Sequence, residues 1–185
     1  MFGLADNVDQ VIKKGIDLIS NAKKVVRANL YPFPLKVFKK SLERKAAEGV
    51  KVLAKVYEPV QLKKCHVVEH TFAHEFNFRT GPIDWKSDWC IIVVDDKEFL
   101  IAFFEKGGKG ILQAIWSKST YLNLILFSDL ANKFVLSKIT KSIFAEKSIE
   151  EIRSDLIKFY CEYMYEFSSI DDFTKLLESD LNKIK

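Results

Sequence analysis

Little in this 185-residue chain ties it to the cell exterior or to a membrane. Its three cysteines, Cys65, Cys90 and Cys161, are odd in number and far apart, so they do not form the spacing of a disulfide framework. Cys90 and Cys161 lie among apolar residues and read as reduced packing groups. No apolar run approaches the roughly 20 residues needed to cross a bilayer, and the sequence does not open on a basic-then-apolar signal. The expectation is a cytoplasmic protein with no membrane partner. Charge of one sign is also scarce: 29 basic and 25 acidic residues leave a net +4, with no basic stripe. That mixture argues against direct contact with nucleic acid.

Familiar catalytic signatures are missing too. There is no Gly-x-Ser-x-Gly elbow, and no acidic pair is placed for acid–base work. Gly107-Gly-Lys-Gly110 lacks the spacing and the following helix of a phosphate loop, so it reads as a flexible turn between strands. No internal repeat or low-complexity linker interrupts the chain.

What is present is a regular alternation of elements. Asp6 or Asn7 can cap a helix running to about Asn21, with Val8, Val11, Ile12, Ile16 and Ile19 on one face. Lys24 to Tyr31 (KVVRANLY) predicts a strand, stopped by Pro32 and Pro34. A second helix carries Leu35, Phe38, Leu42 and Ala46 at helical spacing, and Gly49 suits its left-handed stop. Val50 to Tyr57 (VKVLAKVY) completes a strand–helix–strand unit, which implies parallel pairing. Asp88 to Asp95 (DWCIIVVD) and Lys97 to Phe104 (KEFLIAFF) then read as a buried hairpin, followed by a short strand at Ile111–Trp116.

From about Thr120 the chain becomes helical, either one long apolar helix over 120–145 or two shorter ones. Ser148 with Glu151 has capping-box spacing, and Ser169 with Asp172 opens a last helix. The fold class is α/β: a mixed sheet flanked by helices over residues 1–118, with C-terminal helices over 119–185. Those helices are expected to cover the core or to form the interface of a homodimer, because they carry more apolar face than one small sheet can bury.

The hairpin resembles the His-x-Lys strand of the phospholipase D superfamily, in which an apolar run ends in an Asp and a second apolar strand follows. Here Asp88 stands in place of the His, and Cys90 in place of the Lys. A carboxylate and a thiol cannot replace an imidazole nucleophile and its cationic partner at neutral pH. More narrowly, three stretches are similar to the C-terminal effector domain of TrmB-type sugar-responsive transcription regulators. They are Ile16 to Val26 (IDLISNAKKVV), Leu35 through Gly49-Val-Lys-Val-Leu53, and the later Phe99-Leu-Ile-Ala102 with Ala114-Ile-Trp-Ser117. The likeness covers roughly residues 8–140. It implies a phospholipase D-like half-domain that senses a small polar effector, a sugar by resemblance, and reports it to a regulatory output. The winged-helix DNA-binding part of those regulators is not matched. The alternatives are a divergent phosphodiesterase, a metal-dependent hydrolase, or a protein-interaction scaffold.

The metal alternative rests on one stretch, because all three histidines fall between Cys65 and His74. On a helix, His66 and His70 could share a metal, with His74 on the same face. On a strand, His66 and His74 are more than ~20 Å apart at ~3.3 Å per residue, so one ion cannot bind all three. The alternation of this stretch favours a strand, and no metal or other cofactor is expected.

Ligands of open α/β sheets gather beyond the carboxyl ends of parallel strands. Those ends supply Asn29 and Tyr31, then Tyr57 and Glu58. Neighbouring segments supply Arg79, Asp84, Trp85 and Asp88, then Trp116 and Ser117. Aromatic planes beside amide and charged groups suit a carbohydrate or similar polar molecule, which needs a face to stack on and hydrogen-bond partners at its edge.

Overall fold

A computed structural model describes residues 2–4, 7–69 and 87–164 of the chain. It divides into two compact units, Met1–Phe134 and Val135–Lys185.

The first unit is built on a seven-stranded mixed sheet. Its strands are β1 (Phe2–Leu4), β2 (Val25–Leu30), β3 (Lys51–Val56), β4 (His66–Glu69), β5 (Ser87–Val94), β6 (Glu98–Glu105) and β7 (Ile111–Ser117). They lie in the order β1-β7-β6-β5-β2-β3-β4. The pairs β2–β3 and β3–β4 are parallel, and the remaining pairs are antiparallel. This is the anticipated mixed sheet with one strand added, because the three-residue β1 is too short to leave a periodic signal.

Helix α1 (Val8–Asn21) starts at Asn7, whose Oδ1 accepts the Gln10 amide at 2.9 Å. Helix α2 (Pro32–Ala47) carries both prolines in its first turn, where no amide donor is needed. It ends at Gly49, whose φ of +91° is one that L side chains adopt only with strain. Both helices press on one sheet face. Val11, Leu18 and Ile19 of α1 and Leu35, Phe38 and Leu42 of α2 close a core with Ala28, Leu30, Ile92 and Leu100 from the strands. Burying each such large side chain contributes roughly 1.5–3 kcal/mol. Strands β2 and β3 are buried almost throughout because both their faces are covered.

The β5–β6 hairpin turns at Asp95 and Asp96, whose φ angles of +51° and +55° match the twist of a tight two-residue loop. Beyond β6, the single 3₁₀ turn Lys106–Gly108 brings Gly108 under the Phe33 ring, where a Cβ would lie 2.0 Å from a ring carbon.

Helix α3 (Thr120–Phe144) is one continuous helix, and the division between the two units falls inside it. Up to Phe134 it belongs with the sheet, packing on the face opposite α1 and α2. There Phe127 stacks under Arg27 at 4.7 Å, and the Asn123 amide donates to the Lys97 carbonyl at 2.7 Å. In the second unit, helix α4 (Ile149–Phe159) begins with the anticipated capping box. Ser148 Oγ accepts the Glu151 amide at 3.2 Å, and Glu151 accepts the Ser148 amide at 2.8 Å. Lys138 lies 4.8 Å over the Phe159 ring, and Lys147 pairs with Asp155 at 2.6 Å. The helix anticipated from Ser169 lies outside the described residues.

Candidate functional site

Successive side chains of a strand point to opposite faces, so the sequence of β2 divides cleanly. Val26, Ala28 and Leu30 enter the core beneath α1 and α2, while Arg27 and Asn29 face α3. In the parallel register Asn29 is the partner of Lys55, and both are buried on the α3 side. One step further along, at the carboxyl end of these strands, three aromatic rings close over the pair. The Tyr31 and Tyr57 ring centroids are 4.3 Å apart, and Tyr31 to Trp89 is 5.1 Å. Tyr57 to Trp89 is 5.9 Å, and Trp89 stacks on Phe103 at 6.5 Å. The three rings are half-buried, so the rim is open to solvent.

The polar groups beneath this rim are poorly paired. Asn29 is fully buried, and among the described residues neither its Oδ1 nor its Nδ2 makes a hydrogen bond of good geometry, although the Tyr57 hydroxyl stands close enough to feel its amide. Trp89 Nε1 likewise makes no such bond among the described residues. Leaving such a group unpaired costs about 1–3 kcal/mol. Lys55 is 5% exposed, and its ammonium donates only a long bond of 3.4 Å to the Lys133 carbonyl. Burial first, and the neighbouring Lys133 second, push its pKa down to about 8 against a weaker upward pull from Asp129. Burial also raises the Tyr57 hydroxyl to about 12, although the adjacent Asn29 amide opposes the shift. Lys133 pairs with Asp129 at 2.6 Å and hangs 5.6 Å over the Trp89 ring. Taken together, these groups supply a flat apolar rim, two uncommitted donors, one uncommitted acceptor and a buried cation.

Of the residues singled out from sequence, Asn29, Tyr31 and Tyr57 come together here. Glu58 follows in an exposed bend. Asp88 points to the opposite face, with the α1–α2 core, and its Oδ2 accepts the Gly107 amide at 2.7 Å. Trp116 and Ser117 lie at the other end of the sheet. Strand β7 runs antiparallel to β6, so its carboxyl end pairs with Phe99 and Leu100 rather than reaching the ends of β2 and β3. The carboxyl-end rule applies only to the parallel strands. Arg79, Asp84, Trp85, His70 and His74 lie outside the described residues.

Two residues of the cluster, Lys55 and Trp89, escaped the sequence reading. The signal for Lys55 was a lone charge inside the apolar run of β3. For Trp89 it was the alternation that sets it on the opposite face from Asp88.

The Asp88–Asp95 segment has become structural. Cys90 is fully buried, and burial pushes its thiol up to about 12 despite a hydrogen bond with Ala102 that lowers it. Asp95 binds the start of β2: it accepts the amides of Lys23, Lys24 and Val25 at 2.7, 2.8 and 2.9 Å. A shallow depression nearby is lined by Lys14, Asp17, Asn21, Asp95 and Glu98. Its Glu98 already pairs with Lys118 at 2.9 Å, and Asp95 is occupied by the three amides.

His66 lies on β4 in register with Leu53, as the strand reading requires. Cys65 has its thiol raised to about 11 by burial first and by Glu43 second. Among the described residues no group of three or more His, Cys, Asp or Glu side chains could hold a metal ion. Also among them, no helix is long and apolar enough to cross a membrane.

The sheet order and the helix placement have counterparts among solved structures. NucT from Helicobacter pylori superposes with a TM-score of 0.56 at 15% identity, covering 74% of this chain and 98% of that one. Nuc from Salmonella typhimurium, a phospholipase D family member, gives 0.53 at 14% identity over 72% of this chain and 94% of that one. TrmBL2, an archaeal chromatin protein with a novel mode of DNA binding, gives 0.51 at 10% identity over 71% of this chain. The match spans 51% of the TrmBL2 chain. No family model and no curated protein matches the sequence. The chain therefore has a phospholipase D-like fold, shared with NucT, Nuc and part of TrmBL2.

Proposed function

We propose that the chain is a ligand-sensing module: the carboxyl-end cluster binds a small polar molecule, a sugar or a relative of one, without turning it over. The observation that carries this reading is Asn29, a fully buried amide with no hydrogen bond of good geometry among the described residues, beside a cluster of tilted aromatic rings. A ligand hydroxyl that donates to Oδ1 and accepts from Nδ2 would recover the cost of leaving them unpaired. Tyr31, Tyr57 and Trp89 offer the faces on which a ring can lie. The replacement of the His-x-Lys pair by Asp88 and Cys90 supports binding over turnover. A regulatory output is what the resemblance to TrmB-type effector domains implies, and it requires that the ligand favour one of two arrangements of the protein.

A thermal-shift screen with sugars, sugar phosphates, nucleotides and divalent metals tests this reading. At least one small polar compound is expected to raise the melting temperature, and Asn29→Leu is expected to weaken that compound at least tenfold while the variant stays folded. A screen with no response from any compound ends the sensor reading in favour of a scaffold. Phosphodiester turnover by the purified protein replaces it with an enzyme.

We propose in addition that two copies associate through the apolar surface of α3, where Tyr121, Leu124 and Ile125 are all more than half exposed. Light scattering is expected to give twice the chain mass, and a monomer at high concentration rules the pairing out.

A further inference from the structure

We propose that the ligand of this site carries an anionic group, a phosphate or a carboxylate, and that Lys55 is the residue that receives it. The inference rests on the ligand-binding reading above and names the chemical class of the ligand.

Three basic side chains of the described residues are more than nine-tenths buried: Arg27, Lys45 and Lys55. Two of them are matched within the fold. Arg27 pairs with Asp96 and stacks on Phe127, and Lys45 pairs with Glu48 at 2.7 Å. Lys55 has no carboxylate at ion-pair distance among the described residues. The acid that acts on it, Asp129, is held by Lys133 at 2.6 Å, so among the described residues two ammonium groups face one carboxylate. A buried ammonium keeps its charge most readily when it is paired, and no carboxylate of the described residues supplies that pairing atom.

The surroundings of Lys55 set the rest of the ligand. Asn29 is its register partner on β2 and offers a free donor and a free acceptor, and Trp89 Nε1 offers another donor. An anion on Lys55 can take a second hydrogen bond from either donor, while a hydroxyl on the same molecule answers Asn29 Oδ1. The rings of Tyr31, Tyr57 and Trp89 stand over both. Lys55 is 5% exposed behind this rim, a depth that a polynucleotide backbone does not reach, so the ligand is expected to be a small molecule. The site is on the opposite sheet face from Asp88 and Cys90, so it owes nothing to the replaced His-x-Lys pair.

The test compares D-glucose, D-glucose 6-phosphate and inorganic phosphate by calorimetry against the wild type and Lys55→Met. Both phosphate-bearing probes are expected to bind the wild type at least tenfold more tightly than D-glucose, and the substitution is expected to abolish that preference. A second readout needs no variant. Raising the pH from about 7 to about 9.5 deprotonates Lys55 and is expected to weaken the phosphate probes about tenfold in the wild type and not in Lys55→Met. The other titratable groups facing Lys55 are Lys133 and Asp129 from α3 and Tyr57 on its own strand, and they are common to both proteins.

Glucose and its phosphate binding equally well, or Lys55→Met binding phosphate as the wild type does, overturns the anion inference and leaves the sensor reading standing. Failure of neutral and anionic probes alike, together with a silent screen, removes both. Competition by a duplex DNA of random sequence at the same residues overturns the small-molecule form.

Discussion

Lys55→Met is expected to stabilise the free protein by about 1–3 kcal/mol at neutral pH, a gain measurable by urea unfolding. Its pKa falls from an ordinary 10.5 to about 8 in the folded chain, chiefly through burial. That shift means the fold resists the charged form, and screening at the half-open rim reduces the full linkage value to the range given. The sign follows from the direction of the shift. The penalty is fully present below about pH 8 and disappears as the pH rises toward the unfolded value of 10.5. Wild type and variant should therefore differ most at pH 7 and converge in the alkaline range. A variant less stable than wild type at pH 7 would show that Lys55 is already satisfied in the free protein.

Asp95→Ala is expected to have the larger effect in the opposite direction, a loss of about 2–4 kcal/mol. Burial alone would raise the pKa of this carboxyl. The amides of Val25, Lys24 and Lys23, with help from Lys97, outweigh it and hold the group below its ordinary 3.8. The substitution leaves three donors at the start of β2 without their acceptor and removes the lock between that strand and the β5–β6 turn. Asp95→Asn keeps one carbonyl oxygen and tolerates the positive φ, so it should cost roughly half as much. Because the folded pKa is depressed, the stabilisation from Asp95 is present above 3.8 and fades as the pH falls through the folded value. Between neutral pH and the folded pKa of Asp95 the stability of the wild type should accordingly fall more steeply than that of Asp95→Asn, and the two should converge in acid, where the advantage of the carboxylate is gone.

Periodicity and punctuation made most of the fold legible. The prolines in the first turn of α2, the positive-φ glycine after it and the Ser148–Glu151 capping box each fixed a boundary that the structure repeats. The parallel pairing of β2 and β3 followed from the helix between them. Strand β1 could not be read, since its three residues take their conformation from β7 rather than from their own pattern.

The site was legible only in part. Asn29, Tyr31 and Tyr57 could be expected near one another because a strand end is a local property of the sequence. Trp116 and Ser117 were drawn in by applying that same rule to a strand whose direction depends on distant pairing. Lys55 and Trp89 were missed for a related reason: alternation gives the face a residue takes, but what stands over that face is decided by α3 much later in the chain. That Lys55 meets the Lys133 carbonyl is a tertiary fact with no short-range trace.

The placement of β1 bears on how the protein is handled. Phe2–Leu4 hydrogen-bonds along Ile115–Ser117 and forms one margin of the sheet. Trimming those few residues, or displacing them with a bulky leader, would bare a row of β7 amides and carbonyls that another molecule could zip onto, so a tag is better carried away from this border.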